Sequence, residues 1–84
     1  MTWRFHLCAT KQRLLFSRIL QILESQMVGI LLFSGQTGTS ETCVHFVVAS
    51  EADKAQRIEA LLRRLEGVRS VSVVELLNAG SEIA

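Results

Sequence analysis

The chain has 84 residues, 49% of them apolar and 20% charged, with a formal net charge of +1. A single domain of this size sits near the lower limit at which one core suffices, and its high apolar fraction predicts self-association. With no basic run, a nucleic-acid or anionic-membrane surface gains little support, and with no apolar stretch near the roughly 18 residues of a membrane helix and no secretory-signal pattern at the N-terminus, a cytoplasmic location is expected.

Thr2 to Ala9 alternates, with Trp3, Phe5 and Leu7 on one side and Arg4, His6 and Cys8 on the other, which predicts a first strand. Thr10 is placed to cap a helix from Gln12 to Ser25, whose stripe of Leu15, Ile19, Ile22 and Leu23 is broadened by Leu14, Phe16 and Leu20. Met27 to Ser34 is a short apolar run bounded by Gly35 and reads as a strand buried on both faces. Gln36 to Ser40 reads as a hairpin loop, and Glu41 to Ala49 as the returning strand with Val44, Phe46 and Val48 on one face. Ser50 and Asp53 have the Ser-x-x-acid form of a capping box, opening a helix with Ala55, Ile58, Leu61, Leu62 and Leu65 in its apolar stripe. Gly67 follows as a left-handed stop, and the β-branched run from Val68 to Glu75 is the last strand.

The order strand, helix, strand, strand, helix, strand predicts an α+β, ferredoxin-like βαββαβ fold, a four-stranded antiparallel sheet with two helices on one face. One domain is expected over residues 1–76, followed by a flexible C-terminal tail over 77–84. If the alternation holds, the other sheet face carries His6, Cys8, Leu31, Phe33, Cys43, His45 and Val47, an apolar surface in want of a cover.

Reactive groups are few. No triad or dyad spacing occurs, so no catalytic residues are assigned. Cys8 and Cys43 lie far apart with no Cys-x-x-Cys and no histidine at ligand spacing, and are read as two reduced small hydrophobes. His6 and His45 are candidates for cross-strand neighbours, but with no third ligand in view they read as half-exposed sheet residues and no metal site is expected. The glycines around Gln36 and Thr37 lack the lysine and spacing of a phosphate cradle. The entry to helix 1, from Ala9 to Leu14, directs free backbone N–H groups outward beside Lys11 and Arg13. It is either a seat for a small carboxylate or an ordinary turn with solvated cations.

Several segments together resemble an ACT domain: Phe16-Ser17-Arg18-Ile19, then Val47-Val48-Ala49-Ser50 leading to Ile58, Leu61, Leu62 and Leu65, then Val68-Arg69-Ser70-Val71-Ser72-Val73. The likeness spans roughly residues 3 to 75, and is nearest to the short regulatory subunits of acetohydroxyacid synthase (acetolactate synthase), the thiamine-diphosphate enzyme of branched-chain amino-acid biosynthesis. The resemblance implies a non-catalytic chain that forms a homodimer edge to edge or face to face and activates or stabilises a separate catalytic subunit. It implies no cofactor on this chain, with thiamine diphosphate on the catalytic partner. A branched-chain amino acid would bind at Thr10, Lys11, Gln12 and Arg13, and Leu31, Phe33 and Val47 would lie at an interface. The Pro-Gly turn common in the family between strand 1 and helix 1 is replaced here by Lys11-Gln12-Arg13-Leu14, which predicts weak valine feedback. The alternative is a free-standing amino-acid-sensing module serving another biosynthetic enzyme.

Overall fold

In the computed structural model, residues 1–77 are described. They form β1 (Thr2–Thr10), α1 (Leu15–Ser25), β2 (Gly29–Thr37), β3 (Glu41–Ala49), α2 (Ala52–Arg63) and β4 (Val68–Leu76). The strands make one antiparallel sheet in the order β2-β3-β1-β4. This is the βαββαβ topology the sequence predicts. From residue 78 onward the expected tail lies outside the described residues.

The core lies between the sheet and the helices because both present apolar stripes of the right period. Phe5, Leu7 and Ala9 of β1, and Val44, Phe46 and Val48 of β3, are every second residue and fully buried. Against them pack Leu15, Ile19 and Leu23 of α1, and Ala55, Ile58 and Leu62 of α2. All four phenylalanines join into one row. Phe5 stacks on Phe46 at 4.9 Å, Phe46 on Phe33 at 5.9 Å, and Phe33 meets Phe16 edge-on at 6.3 Å. The row links β1, β3, β2 and α1 across the full width of that half of the core.

Phe33 thereby departs from the face expected of it. Ile30 pairs with Val48 but Leu32 with Val47, so one extra residue, Leu31, is inserted into β2. A single insertion reverses every side chain beyond it, sending Phe33 to the helix side and Leu32 to the open side. Strand β2 also fails to be buried on both faces. It is the edge of the sheet, and Ile30, Leu31 and Leu32 are 39%, 62% and 45% exposed.

The helix starts differ from expectation for local reasons. Helix α1 begins at Leu15 and not Gln12, with Leu14 at its N-cap in the left-handed conformation (φ 66°) and no side-chain cap. Thr10 continues β1, and its N–H donates to the Gly67 carbonyl at 2.9 Å. Helix α2 begins after Glu51, again with no side-chain cap. Ser50 is occupied elsewhere: its N–H donates to the Met1 carbonyl at 2.9 Å and its carbonyl accepts from Trp3 Nε1 at 3.0 Å. The backbone of this turn clamps the start of β1, and the Ser50 hydroxyl donates to the Glu51 carbonyl at 3.1 Å, so no capping box forms. Gly67 has a positive φ, 85°, but it is not the helix stop expected of it: α2 ends at Arg63 with Arg64 as a right-handed C-cap, and Gly67 turns the chain into β4.

The cysteines are paired. Cys8 and Cys43 sit directly opposite each other in the β1–β3 register, with Cα atoms 4.2 Å apart, and form a disulfide in place of the expected free thiols. Sequence separation, 35 residues, carries no sign of this; register does.

Leu62 is fully buried at the C-terminal end of the α2 stripe formed by Ala55, Ile58 and Leu62. Leu62→Ala is expected to cost roughly 2–5 kcal/mol, a large share of a small domain's stability. A urea melt checks it, and an unmoved midpoint would contradict the packing described.

Candidate functional site

Three connections meet where β1 ends: the β1–α1 turn, the β2–β3 hairpin and the α2–β4 turn. Backbone hydrogen bonds tie them. Thr10 N–H donates to Gly67 O, and Lys11 N–H donates to Ser40 O at 3.0 Å. Gln12 adds a side-chain strap, its Nε2 donating to Glu66 O at 2.8 Å and to Thr10 O at 3.4 Å. The loop is held by its neighbours and not by turn chemistry of its own, which is how Leu14 sustains a conformation that usually selects glycine.

Beyond the strap, α1 starts with backbone N–H groups that have no partner within the helix. The Leu14 carbonyl already accepts from Arg18 N–H at 3.0 Å, while no side chain caps the first turn and no acidic residue lies within it. A hollow of about 210 Å³ adjoins this end, bordered by Gln12, Leu14, Phe16, Ser17, Thr37 and Thr42. Thr42 is buried, and its Oγ1 lies 3.4 Å from Thr37 Oγ1. A lining that combines hydroxyls and a helix N-terminus with the apolar Leu14 and Phe16 suits a small molecule bearing a carboxylate and an aliphatic group. A second hollow, about 310 Å³, lies across the strap between Thr10, Gln12, Arg13, Arg18, Glu66 and Gly67.

The four residues singled out from the sequence divide between these places. Gln12 borders both hollows, Thr10 and Arg13 border the second, and Lys11 is solvent-exposed on the turn. Thr37, Thr42 and the first turn of α1 were not legible as site residues, because β2–β3 pairing and the late helix start bring them there. Of the three interface candidates, Val47 lies on the open face, Leu31 at the bulge of the edge strand, and Phe33 in the core.

The architecture is that of the ferredoxin-like class. Within it, the chain has the fold of ACT domains. It superposes on the ACT domain of a GTP pyrophosphokinase from Chlorobium tepidum with a TM-score of 0.78 at 12% identity, over 88% of this chain and 97% of that one. The regulatory subunit of aspartate kinase from Thermus thermophilus, in its ligand-free form, gives 0.66 at 14% identity, over 87% of this chain and half of that one. A formyltetrahydrofolate deformylase from Pseudomonas putida gives 0.73 at 10% identity, over 90% of this chain and 29% of that one. No protein-family model matches the sequence, and no curated protein matches it significantly. Among the described residues, no helix is long and apolar enough to cross a membrane.

Gly67, in the α2–β4 turn, packs directly against the end of β1 and the Gln12 strap. A Cβ there would come within 2.5 Å of both Gln12 Nε2 and Thr10 Oγ1, on a backbone already at positive φ. Gly67→Ala is therefore expected to lower stability by roughly 1–2 kcal/mol and to loosen the Gln12 strap. Chemical denaturation gives the first quantity and amide exchange at Thr10 the second; protection equal to wild type would show that the strap tolerates the methyl group.

Proposed function

We propose that this chain is a non-catalytic, ACT-type regulatory subunit that pairs with a second copy and activates or stabilises the catalytic subunit of acetohydroxyacid synthase. The observation that carries the reading is the exposed edge of an ACT-type sheet: β2 offers nine residues of half-paired backbone, with Ile30, Leu31 and Leu32 exposed along it. An apolar edge is a template for another strand, and a two-fold pairing of β2 with β2 covers this edge in both copies at once, leaving β4 as the outer edge. The resemblance of the sequence to the short synthase subunits supplies the partner, and the thiamine diphosphate would sit on that partner and not on this chain.

Regulation follows from linkage. A subunit that binds the active arrangement of its partner more tightly than the inactive one shifts the population toward activity. Valine, leucine or isoleucine would reach that equilibrium through the hollow at the start of α1. The branched side chain would face Leu14 and Phe16, and the carboxylate the free N–H groups. Affinity there is low, because Leu14 and the Gln12 strap occupy space that a Pro-Gly turn would leave to the effector.

Two experiments test the reading. Adding the chain to its cognate catalytic subunit is expected to raise turnover, while calorimetric titration with valine should show binding weaker than micromolar. Unaltered turnover from subunits that demonstrably associate would remove the activation, and micromolar valine affinity would overturn the reading of the turn. Pairing is tested separately by light scattering. The wild-type chain is expected at dimer mass, and Leu31→Lys at monomer mass with an unchanged circular dichroism spectrum. A wild-type monomer throughout the micromolar range would sink the edge-pairing argument.

A further inference from the structure

The two cysteines and two histidines are all the chain has, and they occupy adjacent rungs of one strand pair. His6 is opposite His45, and Cys8 opposite Cys43. The sequence reads His6-Leu7-Cys8 on β1 and Cys43-Val44-His45 on β3, so antiparallel pairing sets all four on the open face, with the core residues Leu7 and Val44 between them. Glu41 is the next open-face residue along β3. The Cys8 and Cys43 Sγ atoms and one Glu41 oxygen lie within 4.8 Å of one another, with Cys43 Sγ 3.9 Å from Glu41 Oε1. Arg69 Nη1 is 3.5 Å from the other oxygen, Oε2, which leaves Oε1 toward the sulfurs. On the imidazole side, an open hollow of about 300 Å³ is bordered by His6, Ser34, Gln36, Cys43 and His45.

We propose that the reduced chain binds one Zn²⁺ on this face through the Cys8 and Cys43 thiolates, the Glu41 carboxylate and an imidazole from the His6–His45 rung, and that the disulfide is its metal-free state. Two thiolates with one nitrogen and one oxygen form a four-donor set suited to tetrahedral zinc and unsuited to magnesium or calcium. Zinc–sulfur bonds of about 2.3 Å separate two tetrahedral sulfurs by roughly 3.8 Å, within the reach of side-chain rotation once the S–S bond is open. An imidazole two residues along the same strand face starts roughly 7 Å away by backbone spacing, and the hollow gives it room to turn toward the cysteine rung.

The redox step is thiol–disulfide exchange with a dithiol. Two sulfurs of the reductant join as a disulfide, the Cys8–Cys43 bond breaks, and two electrons and two protons pass to the protein thiols. Zn²⁺ then displaces those two protons to solvent, with no change in its own oxidation state. A small-molecule disulfide runs the exchange backwards and releases the metal. The site makes metal occupancy a readout of thiol redox state on a face distinct from the hollow at the start of α1.

The test uses the full chain, reduced with a dithiol, desalted free of it under nitrogen, and titrated with Co²⁺ and then Zn²⁺. The reduced chain is expected to take one Co²⁺ with a thiolate charge-transfer band and tetrahedral visible bands, both lost when stoichiometric Zn²⁺ is added. The oxidised chain should show neither. His6→Asn with His45→Asn, which keeps both thiols, should weaken Zn²⁺ by at least about the tenfold that even the loss of a supporting outer residue costs a metal site. Stoichiometric Zn²⁺ should also protect both wild-type thiols from alkylation, a mass-spectrometric readout that needs no variant. A reduced chain with no charge-transfer band, a band that survives Cys8→Ser with Cys43→Ser, unchanged affinity in the histidine variant, unprotected thiols, or one metal per two chains would each overturn the proposal.

Discussion

The pairing of β1 with β3 is the constraint on which the rest of this structure depends. Its register sets Phe5 against Phe46, Leu7 against Val44 and Trp3 against Val48 on one face. On the other face the same register sets His6 against His45 and Cys8 against Cys43. A slip of one residue would turn the slipped strand over relative to its partner, burying its histidine and exposing its phenylalanine, so the core fixes the register far more strongly than the open-face pairs do. The aromatic row then extends the constraint sideways. Phe46 positions Phe33 of β2, and Phe33 positions Phe16 of α1, whose ring lies over Gly35 so closely that a Cβ there would come within 2.5 Å of it.

How much of this was legible in the sequence depends on whether a feature is local or set by pairing. Strands β1 and β3 alternate cleanly because both have one wet and one dry face, and α2 announces its buried stripe through Ala55, Ile58 and Leu62. Gly67 marks its own turn for a local steric reason. Strand β2 carries no such alternation: Ile30, Leu31, Leu32 and Phe33 are apolar in succession, so neither the bulge nor the edge position can be read from them. The start of α1 misled for a different reason. Thr10 is a good capping residue, but the backbone donors near it are taken by Gly67 and Ser40 from other connections, and the chain must travel to Leu14 before it can turn into a helix.

The cysteines show the same division. Each alone is a small hydrophobe in an alternating strand, and a spacing of 35 residues matches no local motif. Their meaning appears only when His6-Leu7-Cys8 is laid against Cys43-Val44-His45 in reverse. Antiparallel pairing turns two unremarkable tripeptides into a square of potential ligands, whereas parallel pairing in the same alignment would bring each cysteine opposite a histidine. Site chemistry that is built across strands is invisible to linear spacing rules, however carefully those are applied.

The bulge at Leu31 also changes where a partner belongs. With Phe33 returned to the core, the apolar part of the open face is limited to one end of the sheet, where Leu32, Val47 and Val74 flank Arg4. The middle and far rungs carry Ser34, His45, His6 and Ser72, then Gln36, Cys43, Cys8 and Ser70. Such a surface is adequately solvated and has little to gain from a cover. The edge of β2 is different, since its unpaired backbone groups and exposed Ile30, Leu31 and Leu32 are satisfied together by one added strand. Pairing through the edge would leave the open face accessible, so the assembly proposed at β2 and the zinc site proposed on the β1–β3 rungs would not compete for the same surface.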